Sequence, residues 1–408
     1  MTHFTRLEAT LQSTEPGLRP QLPVHAYCDP DIYAREQELI FRASACYLGH
    51  EQMVPNLGDW YALPQDGHSR VLVRNANGVE LISNVCRHRQ ALMLGDFSAN
   101  TPEHAIRRGN LRNTGYRILC PLHAWTYDSS GLIVGAPRFP TRPCRNLQRY
   151  PLFNVAGFLF EGGRDPQPDI GALLRRPEMD FSDYVLDHVE VHPCQCNWKT
   201  FIEIYADDYH IASFHPGLRR YVNSAGLTWE YGNWYSLQRI GVAASLERAG
   251  TDAYRAWHQG LLKHHGGASP AFGAIWAAYY PTHMIEVFPQ ALVLSTVYPK
   301  GPHETLNLVE FHYPRALVEN DRALVEAHRA AYLETAFEDD EIAERTDAGR
   351  RALYQRGEDD RGPYQIPLEE GMQHFHGWYR SVMGAALRDG ATTRPAAHPH
   401  HHQGSKPQ

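Results

Sequence analysis

The chain has 408 residues, 43% hydrophobic and 11% aromatic, with a formal net charge of −7, enough for two or three domains' worth of core. Acidic and basic residues are interspersed without a basic stripe, which argues against a nucleic-acid partner. No stretch reaches the roughly 18 apolar residues of a membrane span, and the N-terminal MTHFTRLEATLQSTEPG lacks an apolar signal core, so a cytoplasmic protein is expected.

Residues 1–45 read as an arm and a helix, with Asp29 or Asp31 as N-cap and an apolar face through Ile32, Leu39, Ile40 and Phe41. Residues 46–163 read as a β-rich module of short strands such as RVLVRN and VELISNV, separated by Gly, Asn and Pro. Two mixed steps stand out in this module, Cys86-Arg87-His88 and Cys120-Pro121-Leu122-His123. Together they supply two thiolates and two imidazoles, the set that holds a Rieske [2Fe–2S] cluster with both cysteines on one iron and both histidines on the other. Tetrahedral zinc is the alternative, but zinc fingers pair like with like, and each step here mixes the ligand types. Seven cysteines, an odd number, also argue for reduced thiols over a disulfide framework. Trp125 and Tyr127 alternate ahead of a Ser129-Ser130-Gly131 turn, so the second ligand loop is expected to open a β-hairpin.

These residues resemble the Rieske domain of the ring-hydroxylating, or Rieske non-heme iron, oxygenase α subunits. The 31-residue spacer from His88 to Cys120 departs from the family by its length, and its polar run SANTPEHAIRRGNLRN reads as a surface insertion.

Residues 164–390 mix strand-like runs (ALVLSTVYP, TLNLVEFHYP) with a helical stretch at 197–213 and a long one from about 319 to 355. His210 and His215 lie five apart, so the first is expected on the last helical turn and the second just beyond it. Two imidazoles and one carboxylate on one face of a ferrous ion leave the opposite face open to O2 and substrate. Asp207 is three before His210 and shares its helix face, whereas Asp208 points elsewhere. This segment too resembles the family: Asn197, Trp198, Lys199, Asp207, Tyr209, His210, His215 and Pro216 match its catalytic-domain motif in order, with Ile204 where many members have Asn. For the third ligand AFEDDEIAERTDAG offers Glu338, Asp339, Asp340, Glu341 and Glu344, and the family's pattern, anchored on Ile342-Ala343-Glu344, indicates Asp339. Cys194 and Cys196 read as core or surface thiols, the aromatic runs 228–235 and 275–280 as core with some cavity wall, and the tail 391–408 as disordered.

The expected architecture is α+β: a β-rich Rieske domain, then a catalytic domain with an antiparallel sheet covered by helices. The resemblance, over about residues 30–385, implies an oxygenase component holding [2Fe–2S] on Cys86, His88, Cys120 and His123. It likewise implies Fe(II) on His210, His215 and Asp339, with O2 as co-substrate and Asp207 as a carboxylate bridge to His123 of a neighbouring subunit in a homotrimer. With no nicotinamide motif in the chain, NAD(P)H would be consumed by a ferredoxin or flavin reductase partner; a β subunit is left open, as is the choice between mono- and dioxygenase. The expected reaction is hydroxylation or oxidative demethylation of a small organic substrate, aromatic or similarly flat, with quaternary ammonium oxidation as the alternative. A Rieske electron carrier and a zinc-stabilised binding module are the rival classes.

Overall fold

The computed structural model describes residues 20–389 of the chain. The tail expected to be disordered and most of the N-terminal arm lie outside the described residues.

Asp29 caps the helix Pro30–Glu36, accepting the Asp31 N–H at 2.9 Å, and Pro30 fills the first helical position. The helix continues as a π turn over Gln37–Phe41, which rotates the face: Leu39, expected inward, is 41% exposed, while Ile32 and Ile40 stay buried. The polar Glu36 is buried instead, accepting hydrogen bonds from Lys199 Nζ at 2.6 Å, Trp198 Nε1 at 2.9 Å and the Tyr379 hydroxyl at 2.6 Å. This segment therefore docks on the C-terminal half of the chain.

The β-rich module has three antiparallel sheets: five strands in the order 107–110, 59–62, 70–75, 78–83 and 149–150; three strands over 117–119, 126–128 and 133–135; and three strands over 45–50, 158–162 and 153–155. The second contains the expected hairpin, Thr126–Asp128 with Ile133–Gly135. The polar run in the long spacer corrects the expectation of a pure surface insertion. Residues 98–100 are exposed, but Arg107–Asn110 pairs with Asp59–Ala62 as a strand of the five-stranded sheet. Arg107 is buried because its guanidinium donates to the carbonyls of Asp96, Pro102 and Glu103.

The C-terminal half is built on a seven-stranded antiparallel sheet, ordered Tyr184–Cys194, Glu304–Pro314, Ala291–Gly301, His283–Phe288, Ala274–Tyr279, Tyr235–Val242 and Val222–Tyr231. Residues alternate across it. Ile275, Ala277, Ile285, Val287, Leu292 and Leu294 pack with Tyr47, Phe158 and Phe160 of the β-rich module. Trp276, Phe288, Val293, Val309 and Phe311 pack on the other face with Trp257, Leu261, Leu324 and Val325, carried by helices Asp252–His264 and Arg322–Arg356. The functional cavity opens within this second layer.

One expected helix is broken. Residues 197–213 give a helix only over Trp198–Tyr205, capped by the Asn197 side chain, and then a single turn over Ile211–Phe214. Between them the Asp208 N–H leaves the helical ladder to donate to the Leu368 carbonyl at 2.9 Å, and the Asp207 carboxylate accepts the N–H groups of Tyr209 and His210. His210 and His215 thus flank a short turn as its N- and C-cap residues.

Candidate functional site

Cys86 and Cys120 start two loops of the same construction. In each, the N–H of the residue four further on donates to the cysteine carbonyl, Gln90 to Cys86 at 3.1 Å and Ala124 to Cys120 at 3.0 Å. Both closing residues have left-handed backbone, φ 58° and 56°, a conformation that neither Gln nor Ala signals in a sequence. The two thiols are buried, and burial raises the Cys120 thiol above its usual range. The Tyr127 hydroxyl lies 3.6 Å from Cys86 Sγ and accepts the Arg87 N–H at 3.1 Å. The His88 and His123 rings lie 4.8 Å apart, and His88 stacks on Trp125 at 5.0 Å. His88 Nδ1 is buried without a hydrogen-bond partner, as a nitrogen kept for a metal must be. Two buried thiols facing two close imidazoles fit a [2Fe–2S] cluster.

The second centre forms where the broken helix meets the long one. His210 Nε2 and His215 Nε2 are 2.9 Å apart, and Asp339 Oδ1 lies 3.3 Å and 3.1 Å from them. These ligand atoms lie within 4.8 Å of one another. A carboxylate lies behind each imidazole, hydrogen-bonded in the case of His215. His215 Nδ1 donates to Glu338 Oε2 at 2.7 Å, and His210 Nδ1 faces Asp207 Oδ2 at 3.3 Å. With Nδ1 of each ring turned to an anion, both Nε2 lone pairs converge with the Asp339 oxygen on one point, which a divalent cation would stabilise. Burial alone would lower the His210 pKa, but Asp207 and Asp339 outweigh it and pull it up to about 10. The same two histidines hold the Asp339 carboxyl below its usual range despite burial.

The neighbouring carboxylates have other partners. Asp340 accepts from Cys194 Sγ at 3.0 Å, and Glu344 accepts the Gln195 N–H at 2.9 Å. Cys194 and Cys196 are buried core thiols. Glu338, weighed as a ligand, instead orients His215. Asp208 is buried, and burial raises its carboxyl to about 7.

His210, His215 and Asp339 line a cavity of about 90 Å³, walled by Tyr205, Tyr254, Trp257, Trp276, Phe288 and Tyr332. Ile204 adds an apolar patch where the family often has Asn. Of the two aromatic runs, only Trp276 reaches the cavity. Trp229 and Tyr231 lie at the sheet edge, where Trp229 Nε1 donates to the Pro367 carbonyl and Tyr231 stacks on His374. Glu286, which the sequence gave no reason to select, projects from the sheet into the cavity wall.

Comparisons with known proteins match both halves of the chain. Residues 45–151 match the Rieske [2Fe-2S] domain, and residues 181–385 match the ring hydroxylating alpha subunit catalytic domain. Putrescine 2-hydroxylase of Bordetella bronchiseptica is 59% identical over 366 residues, 90% of this chain and 85% of that protein. Putrescine 2-hydroxylase of Ralstonia nicotianae is 53% identical over 363 residues, 89% of this chain and 95% of that one. Among solved structures, a quaternary ammonium Rieske monooxygenase superposes with TM-score 0.69 at 18% identity, covering 91% of this chain and 96% of that one. The chain belongs to the Rieske non-heme iron oxygenases. It is an oxidoreductase whose family chemistry uses a Rieske cluster, a mononuclear iron and O2 to hydroxylate a small substrate. Neither relative above 50% identity is named for an aromatic compound, so the expected aromatic substrate finds no support in them.

Proposed function

We propose that this chain is the oxygenase component of a system that hydroxylates a short aliphatic diamine, putrescine, at C2. Identity with two proteins of that activity supports the reading, and the cavity is the structural observation that carries it. Its lining is largely apolar and aromatic, which suits a methylene chain with roughly 6 Å between its two nitrogens. The wall also suits a cation, with tryptophan and tyrosine faces and a buried carboxylate.

In this reading Cys86, His88, Cys120 and His123, within a domain of residues 46–163, hold the [2Fe–2S] cluster. His210, His215 and Asp339, within residues 164–390, hold Fe(II), which when bound supplies the activation of O2. A ferredoxin or flavin reductase spends NAD(P)H and delivers the electrons. The chain's own residues orient the site: Glu338 and Asp207 fix the two imidazoles, and the aromatic wall excludes water from the substrate chain. Asp207 also accepts a hydrogen bond from His123 of the partner subunit in a head-to-tail homotrimer. Two exposed apolar patches support that assembly. Leu119 and Leu122 flank His123 at 45% and 55% exposure, and Tyr209 and Phe337 beside the iron ligands are each 59% exposed.

The test is a substrate screen with a surrogate reductase, scored by mass spectrometry. NADH- and O2-dependent gain of one oxygen atom is expected on putrescine and not on carnitine, choline or benzoate. Oxidation of an aromatic compound with putrescine untouched would overturn the reading.

A further inference from the structure

Glu286 sits on the strand His283–Phe288, paired across the sheet with Trp276 and Val293 on the cavity face. It is 5% exposed. Among the described residues the one group that donates to it is the Tyr332 hydroxyl, at 2.8 Å to Oε1. Among the described residues no arginine, lysine or histidine is paired with it, whereas the buried carboxylates Glu36 and Glu203 have such partners, Lys199 for the first and Arg350 and His376 for the second. A buried carboxylate without a cation is costly. Burial holds its carboxyl up to about 8, with the nearby Asp339 adding to the effect.

The same cavity carries further unmet polar groups. The Tyr205 hydroxyl, Trp276 Nε1 and His328 Nε2 line it and are buried without hydrogen-bond partners. A wall built for hydrocarbon alone would avoid all four groups. A ligand that carries both a methylene chain and a charged, hydrogen-bonding end uses them.

Building on the diamine reading above, we propose that Glu286 is the specificity-determining residue of this cavity. Its carboxylate takes one ammonium group of the substrate and so sets which carbon of the chain faces His210, His215 and Asp339. The Tyr332 hydroxyl fixes the carboxylate, and the faces of Trp276 and Tyr205 flank the ammonium. The remaining length of the chain then runs toward the iron ligands across the apolar wall.

Glu286→Gln keeps the shape and the Tyr332 contact but removes the charge. Calorimetric titration of the anaerobic holoenzyme with putrescine is expected to show affinity weakened roughly 10- to 150-fold, the range for losing a charged hydrogen bond. KM should rise in step, while iron content and Rieske absorption match the parent. Glu286→Asp, whose carboxylate is one methylene shorter, should recover part of the affinity. Should the Gln variant fail to fold, the Asp variant carries the comparison, with a several-fold weaker Kd expected. Parent-like putrescine affinity in the folded variant overturns the role of Glu286 and leaves the diamine reading standing. A parent enzyme that binds no putrescine and oxidises another class of compound overturns both.

Discussion

Asp339 and Asp340 are adjacent on one helix, yet the first faces two imidazoles and the second a cysteine thiol. One helical step rotates a side chain by about 100°, so a one-residue error in sequence reading would have named a carboxylate that faces away from the two imidazoles. Asp339→Ala, His210→Ala and His215→Ala should each lose the mononuclear iron while keeping Rieske absorption, and Asp340→Ala should keep both. Iron analysis beside the visible spectrum decides this, and an iron-free Asp340→Ala would move the ligand by one residue. Glu338→Gln should weaken iron binding by roughly 10- to 100-fold, because it removes the anion that orients His215; a competitive chelator titration measures it. Asp207→Asn should retain both metals and reduce normally at the cluster, yet fail to couple cluster oxidation to product in single-turnover kinetics. Asp207 was legible as the partner of His210 from its spacing. The helix invoked for that pairing is absent, and the capping of the turn by the Asp207 carboxylate brings the two together instead.

At the scale of elements, the helix Trp198–Tyr205 is held from three sides through Glu203. This buried carboxylate accepts from the Tyr27 hydroxyl of the N-terminal segment, pairs with Arg350 of the long helix at 2.6 Å, and pairs with His376 of helix Glu370–Met383 at 2.6 Å. Burial would raise its pKa, but Arg350, His376 and Tyr27 outweigh that and lower it to about 2. A carboxyl depressed in the folded state contributes stability above its unfolded pKa, and that stability is lost as pH falls through the folded value. The contribution of Glu203 is therefore present above about pH 4.5 and should vanish as pH falls toward 2. Urea melts across that window should show the parent losing stability with acid, while Glu203→Gln, already destabilised, shows a flatter profile. An equally steep acid loss in the variant would count against the assignment. Glu36 holds a second buried partner: Glu36→Ala strands Lys199, and the melting curve should report a loss of about 3–5 kcal/mol. None of this network was legible, since its members come from four distant stretches and each alone reads as an ordinary helix residue.

For the whole molecule, the two centres lie in separate layers, and no hydrogen bond or ring contact joins their ligands among the described residues. The proposed head-to-tail assembly would join them between neighbouring copies, through a heterologous interface that closes into a ring. Leu122→Glu places a charge in the exposed apolar rim beside His123. It is expected to lower the oligomeric state in light scattering and to depress turnover, with cluster absorption intact. A variant that stays assembled and fully active would remove that rim from the interface.

The sequence by itself indicated the candidate ligand side chains and which of them lie near one another along the chain, though not the backbone that presents them, since the helix expected through His210 is broken. Mixed Cys/His steps, the His210/His215 spacing and the turn residues of the hairpin act over a few residues, where chain connectivity fixes what can meet. The β-rich and α+β halves were legible for the same reason, through the alternation of apolar residues. Tertiary structure decided whatever depended on contacts between distant segments. It brought Asp339 to the histidines from more than 120 residues away, it turned the spacer residues Arg107–Asn110 into a sheet strand, and it placed Glu286 on a cavity wall. A strand glutamate among Ile285 and Val287 differs from any solvent-facing one only when the layer packed over it is known.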